Sequence, residues 1–310
     1  MTKKKKCGII LNKKNGCAFC VRRTKTGEEK AERDKGLKMN LLFAIDKKVA
    51  HCLITCLRSI EANGGAEHYD AYILSSDLKQ EDIDELKNQL PLSVTGHFIN
   101  IPEDMFDDFA TTKVYPKQIY YRLAAAEFLP KDLDRVLYLD VDLVVINSLK
   151  SLYESDFGDA WFIGSTHIGW FLTWITCVRL GIKYKKDLVY LNTGVMLMDL
   201  EKMRQGFDMV AVNEFGLKKK KAMMFPDQDI LIGLYGDKIK KVDDMIYNLG
   251  EQTLIDHNRK IGNKKKDVDW VRENSVVVHY FGANKPWKKG AKYEGVLDVF
   301  YYEYSGTEKA

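Results

Sequence analysis

From Asn40 to about Leu139 the chain keeps alternating between two patterns, and this alternation limits what it can fold into. Short apolar runs (Leu41 to Ile45, Ala71 to Leu74, Val94 to Ile101, Arg135 to Leu139) are separated by longer segments with apolar residues at helical spacing. Leu53, Ile54, Leu57 and Ile60 mark one helix, which breaks at Asn63-Gly64-Gly65. Ile83, Leu86 and Leu90 mark a second, stopped by Pro91, and a third is expected over about Lys117 to Leu129, closed by Pro130. Runs that are apolar throughout, rather than alternating apolar and polar, suit strands buried on both faces. The expected class is therefore α/β, a mostly parallel sheet with helices on both faces. Ligands of such sheets bind beyond the carboxyl ends of the strands, so chemistry is to be sought there.

A chain of 310 residues with 45% hydrophobic side chains can fill one catalytic domain with appendages. Residues 1–38 are rich in Lys, Arg and Glu and lack apolar periodicity, so they read as an N-terminal extension, disordered or not native, with Met39 as an alternative start. The domain is expected over 39–290, with 291–310 as a tail. Cys7, Cys17 and Cys20 supply three thiolates but no fourth ligand for a structural zinc. The six cysteines form no even framework, which suits a reducing, cytoplasmic setting. No apolar run approaches the roughly 20 residues needed to span a bilayer. Lys3 to Lys6, Lys218 to Lys221 and Lys264 to Lys266 are basic runs. They are either solvated loops or a means of attraction to an anionic membrane face or acceptor. No nucleic-acid-binding module is present.

Asp-x-Asp occurs five times: at Asp82/Asp84, Asp132/Asp134, Asp140/Asp142, Asp227/Asp229 and Asp267/Asp269. Spacing alone selects none of them. Asp140-Val141-Asp142 differs in lying between the apolar run Arg135 to Leu139 and the apolar run Leu143 to Ile146, at the expected ligand edge. Two carboxylates at a buried strand end repel unless a cation lies between them, although either could instead cap a turn. Downstream, Val276 to Val278 leads into His279, then Gly282, Lys285, Pro286 and Trp287. Glycine allows close backbone approach and lysine can neutralise phosphate. Two carboxylates and one imidazole suit a borderline divalent ion such as Mn²⁺, with Mg²⁺ as the alternative. Two further segments stand out. Tyr190 to Asp199 reads as a strand interrupted by Asn192-Thr193-Gly194, and Phe225-Pro226-Asp227-Gln228-Asp229 opens an amphipathic helix in which Asp227 could be a cap.

Taken in order over Met39 to Trp287, these segments resemble glycosyltransferase family 8, which includes bacterial lipooligosaccharide galactosyltransferases and, more distantly, glycogenin. The resemblance rests on Asp46 after the first strand, Tyr120-Tyr121-Arg122-Leu123, Leu137 through Asp142, Asn192 through Val195, Asp227 through Leu231, and His279 through Trp287. It implies a GT-A, Rossmann-like fold and transfer of galactose or glucose, with retention, from a UDP-hexose to a glycan, glycolipid or glycoprotein acceptor. It also implies Mn²⁺ held by Asp140, Asp142 and His279. Gly282 and Lys285 would contact the diphosphate, Val141 and Thr193 would complete the donor site, and Asp46 would lie near the base. Arg122, Asn192, Asp227 and Gln228 would surround the transferred sugar. Gln228 stands where a nucleophile would be needed, and its neutral amide is a poor one, which favours front-face substitution.

This chain departs from the family pattern at Lys48 and Val49, where the family has asparagine and tyrosine, near His167, where it has an acid, and at Ile232-Gly233. Lys48 and Val49 are the reason to weigh a non-catalytic nucleotide-sugar-binding protein against an enzyme. A metal-dependent nucleotidyltransferase would carry a glycine-rich loop after the first strand, where Asp46 to Ala50 has no glycine. The aromatic segment Gly169 to Trp174 reads either as an acceptor platform or lid, or as satellite core. Val296 to Tyr304, with four aromatics, is expected to pack as core.

Overall fold

The structure is a computed structural model and describes residues 36–109, 117–288 and 293–307. The extension with its three cysteines and its basic run therefore lies outside the described residues, apart from its last three positions. In chain order the strands and the helices that bear on the site and its surroundings are β1 (Lys38–Ala44), α1 (Ala50–Asn63), β2 (His68–Ser75), α2 (Gln80–Gln89), β3 (Val94–Asn100), β4 (Arg135–Leu139), β5 (Leu143–Val145), β6 (Phe162–Gly164), α3 (Trp170–Leu180), β7 (Val195–Asp199), α4 (Met209–Lys219), α5 (Pro226–Tyr235), β8 (Ile239–Lys241), β9 (Val277–His279) and α6 (Asp298–Ser305). Seven strands form one sheet in the order β3-β2-β1-β4-β7-β6-β8, while β5 and β9 form a second, two-stranded sheet.

The main sheet is mostly parallel. Strands β1, β2, β3 and β4 run together, β6 pairs parallel with β8, and β7 runs antiparallel to both β4 and β6. Its inner strands β1, β4 and β7 are mostly apolar on both sides because both sides are covered. Leu42, Val136, Tyr138, Met196 and Met198 enter one core, and Leu41, Phe43, Leu137, Leu139 and Leu197 enter the other with Leu53, Cys56, Leu57 and Ile60 of α1. This is the alternation of a period-two strand between two buried faces. A third cluster, around Val144, Val278 and Tyr280, fills the space beside the small sheet.

The antiparallel direction of β7 decides where the site forms. Its register sets Val195 against Leu139, so the residues just before β7 lie beside the carboxyl end of β4, and the Asp140 N–H donates to the Gly194 carbonyl at 2.8 Å. Likewise, antiparallel pairing sets Leu143 against His279, delivering the imidazole next to Asp142.

Three expectations change. The helix expected over Lys117 to Leu129 is a 3₁₀ turn, Lys117–Tyr120, followed by a short helix, Ala125–Phe128. Tyr120, Tyr121, Leu123, Ala124 and Ala125 are all buried, so the segment lacks the solvent face that an amphipathic surface helix keeps. The strand read across Tyr190 to Asp199 begins only at Val195, because the Asn192 side chain accepts the Gly194 N–H at 3.1 Å and turns the chain before it. Residues set apart as a tail contribute α6, whose Phe300 and Tyr301, with Leu297 just ahead of it, are buried in the third cluster. The expectation of core packing for Val296 to Tyr304 agrees with that burial.

Candidate active site

At the carboxyl end of β4, Asp140 and Asp142 flank Val141, whose side chain is buried in the core. Oxygen atoms of the two carboxylates and a ring nitrogen of His279 all lie within 4.8 Å of one another. His279 Nε2 is 2.9 Å from Asp142 Oδ1 and 3.7 Å from Asp140 Oδ2. The Lys285 ammonium pairs with Asp142 Oδ2 and donates to the Tyr280 carbonyl at 2.5 Å. Burial alone would raise the Asp142 carboxyl, but His279 and Lys285 beside it hold it well below the usual carboxylate range.

Behind the pair stands Arg122, with Nη2 3.2 Å from Asp140 Oδ1 and Nη1 3.5 Å from Asp227 Oδ2. Its guanidinium lies over the Tyr138 ring, 4.5 Å from the centroid. Burial would weaken its hold on the proton, yet Asp140, Tyr138 and Asp227 more than offset this, so it stays charged. Its Nε is buried without a hydrogen-bond partner in the structure. Thr193 Oγ1 donates to Asp227 Oδ2 at 2.6 Å and accepts from Arg122 Nη1 at 3.2 Å. Tyr138 donates to Asp140 Oδ1 at 2.6 Å.

Asn248, unmarked in the sequence, fixes the imidazole. It is fully buried, and its Oδ1 lies 2.8 Å from His279 Nδ1. Its Nδ2 donates to Asn192 Oδ1 at 3.0 Å, which sets the amide orientation and so makes Oδ1 the acceptor of an Nδ1–H. Nε2 of His279 then faces the carboxylates, where its lone pair would be available to a cation bound between them, the arrangement that partners of metal-ligating histidines impose. His167 extends the network, with Nε2 2.8 Å from the Asn248 carbonyl, Nδ1 3.4 Å from Asn192 Nδ2, and its ring stacked on Phe281 at 4.8 Å. Burial holds its proton affinity below the usual histidine value. Gly194 is required here: a Cβ would overlap His279 Cε1 and Asp140 Oδ2.

Thus Asp140, Asp142, Asn192, Thr193, Asp227, Arg122, His279 and Lys285 form one connected cluster. Gln228 follows Asp227 at the third position of α5 and is half-buried. Gly282 lies three residues past His279 with φ at +83°, in the left-handed region. Asp46 follows β1 by two residues and turns its carboxylate onto its own backbone, accepting the N–H groups of Lys48 at 2.9 Å and Val49 at 3.1 Å. Asp227 is no helix cap, and its neighbour Asp229 is fully buried against Arg179 at 2.7 Å and Tyr190 at 2.9 Å. Two other triplets cap helices. Asp82 accepts the Lys79 N–H and Asp267 the Trp270 N–H. The donor set of two carboxylates and one oriented imidazole fits a divalent cation of the borderline kind.

Residues 40–291 match the model of Glycosyl transferase family 8. The chain belongs to glycosyltransferase family 8. A lipopolysaccharide 1,2-glucosyltransferase of Escherichia coli K12 is 26% identical over 276 residues, covering 83% of this chain and 75% of that one. General stress protein A of Bacillus subtilis 168 is 23% identical over 243 residues, 74% of this chain and 80% of that one. Among solved structures, galactosyltransferase LgtC in complex with donor and acceptor sugar analogues superimposes with a TM-score of 0.72 at 24% identity, over 86% of this chain and 95% of that one. The fold is thus GT-A, and this family 8 chain is a glycosyltransferase.

Proposed function

We propose that the enzyme transfers a hexose, glucose or galactose, with retention, from a UDP-hexose to a hydroxyl of a glycan, lipid-linked or protein acceptor. The observation that carries this is the convergence of Asp140, Asp142 and His279, with Lys285 against Asp142, at the carboxyl end of β4. In this reading Asp140, Asp142 and His279 hold Mn²⁺, or Mg²⁺ in its place. When held there, such an ion would supply positive charge against the negative charge accumulating on the departing diphosphate. Lys285 gives up its contact with Asp142 to neutralise the same diphosphate, and exposed Gly282 lets the backbone approach it. Asp46 lies toward the base. Arg122 keeps Asp140 and Asp227 in fixed register through its two ends, while Asn192, Asp227 and Gln228 orient the sugar. Gln228 lacks the charge of a good nucleophile, so the acceptor hydroxyl attacks from the leaving-group side.

We assign the reaction to the cytoplasmic side, at the inner face of the membrane. The described cysteines Cys52, Cys56 and Cys177 are free and buried, as suits a reducing compartment. No helix among the described residues is long and apolar enough to cross a membrane.

A screen of UDP-hexoses for hydrolysis, with and without Mn²⁺, run beside Asp142→Ala, tests the metal and donor assignment. Mn²⁺-dependent turnover lost in the variant is expected, and unchanged turnover would overturn it. NMR of the product anomer tests retention, and inversion rejects the front-face route.

A further inference from the structure

Helix α3 is built inside out. Its inward side is Thr173, Thr176, Cys177 and Leu180, at helical spacing, and its outward side is Trp170, Phe171, Leu172, Trp174, Ile175 and Val178. A surface helix in water turns its apolar stripe to the core and its polar residues out. Here two threonines face in, Thr173 satisfying its hydroxyl on the Gly169 carbonyl at 3.1 Å, while Trp170 is 73% and Trp174 43% exposed. The outward aromatics meet mainly one another: Phe171 stacks on Trp174 at 5.9 Å and meets Trp170 edge-on at 5.8 Å. A contiguous apolar face of this kind marks a contact surface.

What borders it identifies the partner. Val178 shares a depression with Leu217 and the lysine run Lys218 to Lys221 at the end of α4. Lys183, Lys185 and Lys186 are exposed just past the end of α3. Against these seven lysines the segments 181–187 and 214–221 offer only Asp187 and Glu214. Aromatic and aliphatic side chains rimmed by lysine complement a bilayer interface, whose acyl boundary takes the apolar face and whose anionic headgroups take the charge.

We propose that α3 and the lysine-rich end of α4 are the surface on which the enzyme sits on an anionic lipid bilayer. This deepens the membrane-side reading above by naming the face. The seat adjoins the site at both ends. Gly169, which opens α3, is two residues past His167, and Arg179 near its end binds Asp229, two residues from Asp227. An acceptor carried by a lipid would therefore present its head group beside the sugar-binding residues.

Sedimentation with vesicles of phosphatidylcholine alone, and of equimolar phosphatidylcholine and phosphatidylglycerol, tests this with the full chain. Binding to the anionic vesicles, weakened by salt, is expected. Trp170→Ser with Trp174→Ser should lower partitioning on the order of a hundredfold, given the area two tryptophans bury. Lys218→Glu with Lys220→Glu should lower it for anionic vesicles, while Ile261→Ser, in an exposed loop elsewhere, should leave it unchanged. Circular dichroism and UDP-hexose hydrolysis without vesicles should be the same in all variants.

Absence of binding, or binding indifferent to the tryptophans, overturns the proposal. So does a concentration-dependent dimer in sedimentation velocity that the tryptophan variant abolishes while vesicles are ignored, since a second copy would then cover the face. Vesicle binding uses no donor, so lost hydrolysis with intact binding would count against the transferase reading alone.

Discussion

Asn248 shows how a site can depend on a residue that its sequence does not announce. It lies among ordinary turn residues, 31 positions before His279, and the bridge between Leu249 and Val278 brings it alongside. Asp140 and Asp142 were legible because apolar runs flank them; a lone asparagine has no such context. Replacing it with leucine keeps the branched shape but removes the acceptor that holds Nδ1–H, freeing the ring to present the wrong nitrogen. Asn248→Leu should weaken Mn²⁺ binding by about 10- to 100-fold in calorimetry while circular dichroism stays unchanged, and an unaltered affinity would reject its positioning role. His167 makes a pH prediction. Its native proton affinity is depressed by burial, so below about pH 6.5 the unfolded chain takes up a proton that the native state resists. That stability is present above the unfolded value and is lost as pH falls toward the native one. His167→Gln should therefore show a smaller drop in Tm between about pH 7.5 and about pH 5.5 than the parent chain.

Among elements, the strands were legible wherever a run was apolar on both faces, as in β1 and β4. The segment 117–129 was not, because its apolar residues satisfy a helix pattern although the chain there divides into a 3₁₀ turn and a four-residue helix. The join between α3 and α5 was also hidden. Asp229 reads as a solvated acid on a helix, yet it accepts the N–H groups of Met224 at 2.7 Å and Phe225 at 3.2 Å as well as both Arg179 amino groups and the Tyr190 hydroxyl. Removing the arginine leaves that carboxylate buried with neutral donors only. Arg179→Met should cost about 3 kcal/mol in urea denaturation, and a loss under about 1 kcal/mol would mean that the pair is dispensable.

At the scale of the molecule, α/β class and mostly parallel strands followed from the alternation of patterns, but the second sheet did not. Strands β5 and β9 have three residues each and are brought together across more than 130 positions, so neither announces its partner. The cluster around that sheet extends past residue 290. Phe300 is fully buried there, and Phe300→Ala should cost about 3–5 kcal/mol on chemical denaturation, whereas a neutral effect would make α6 an appendage. The pairing of His279 with Asp142 spans 137 residues. Any cation gripped by both acts as a reversible cross-link on nearly half the chain. It ties the small sheet to the carboxyl end of β4, the central strand of the large one, in the native state and leaves the unfolded chain unbridged. At a hundredfold excess over its dissociation constant, such a ligand adds about 2.7 kcal/mol. The enzyme's melting temperature should thus climb with Mn²⁺ concentration, making heat resistance a readout of how much metal the cell supplies.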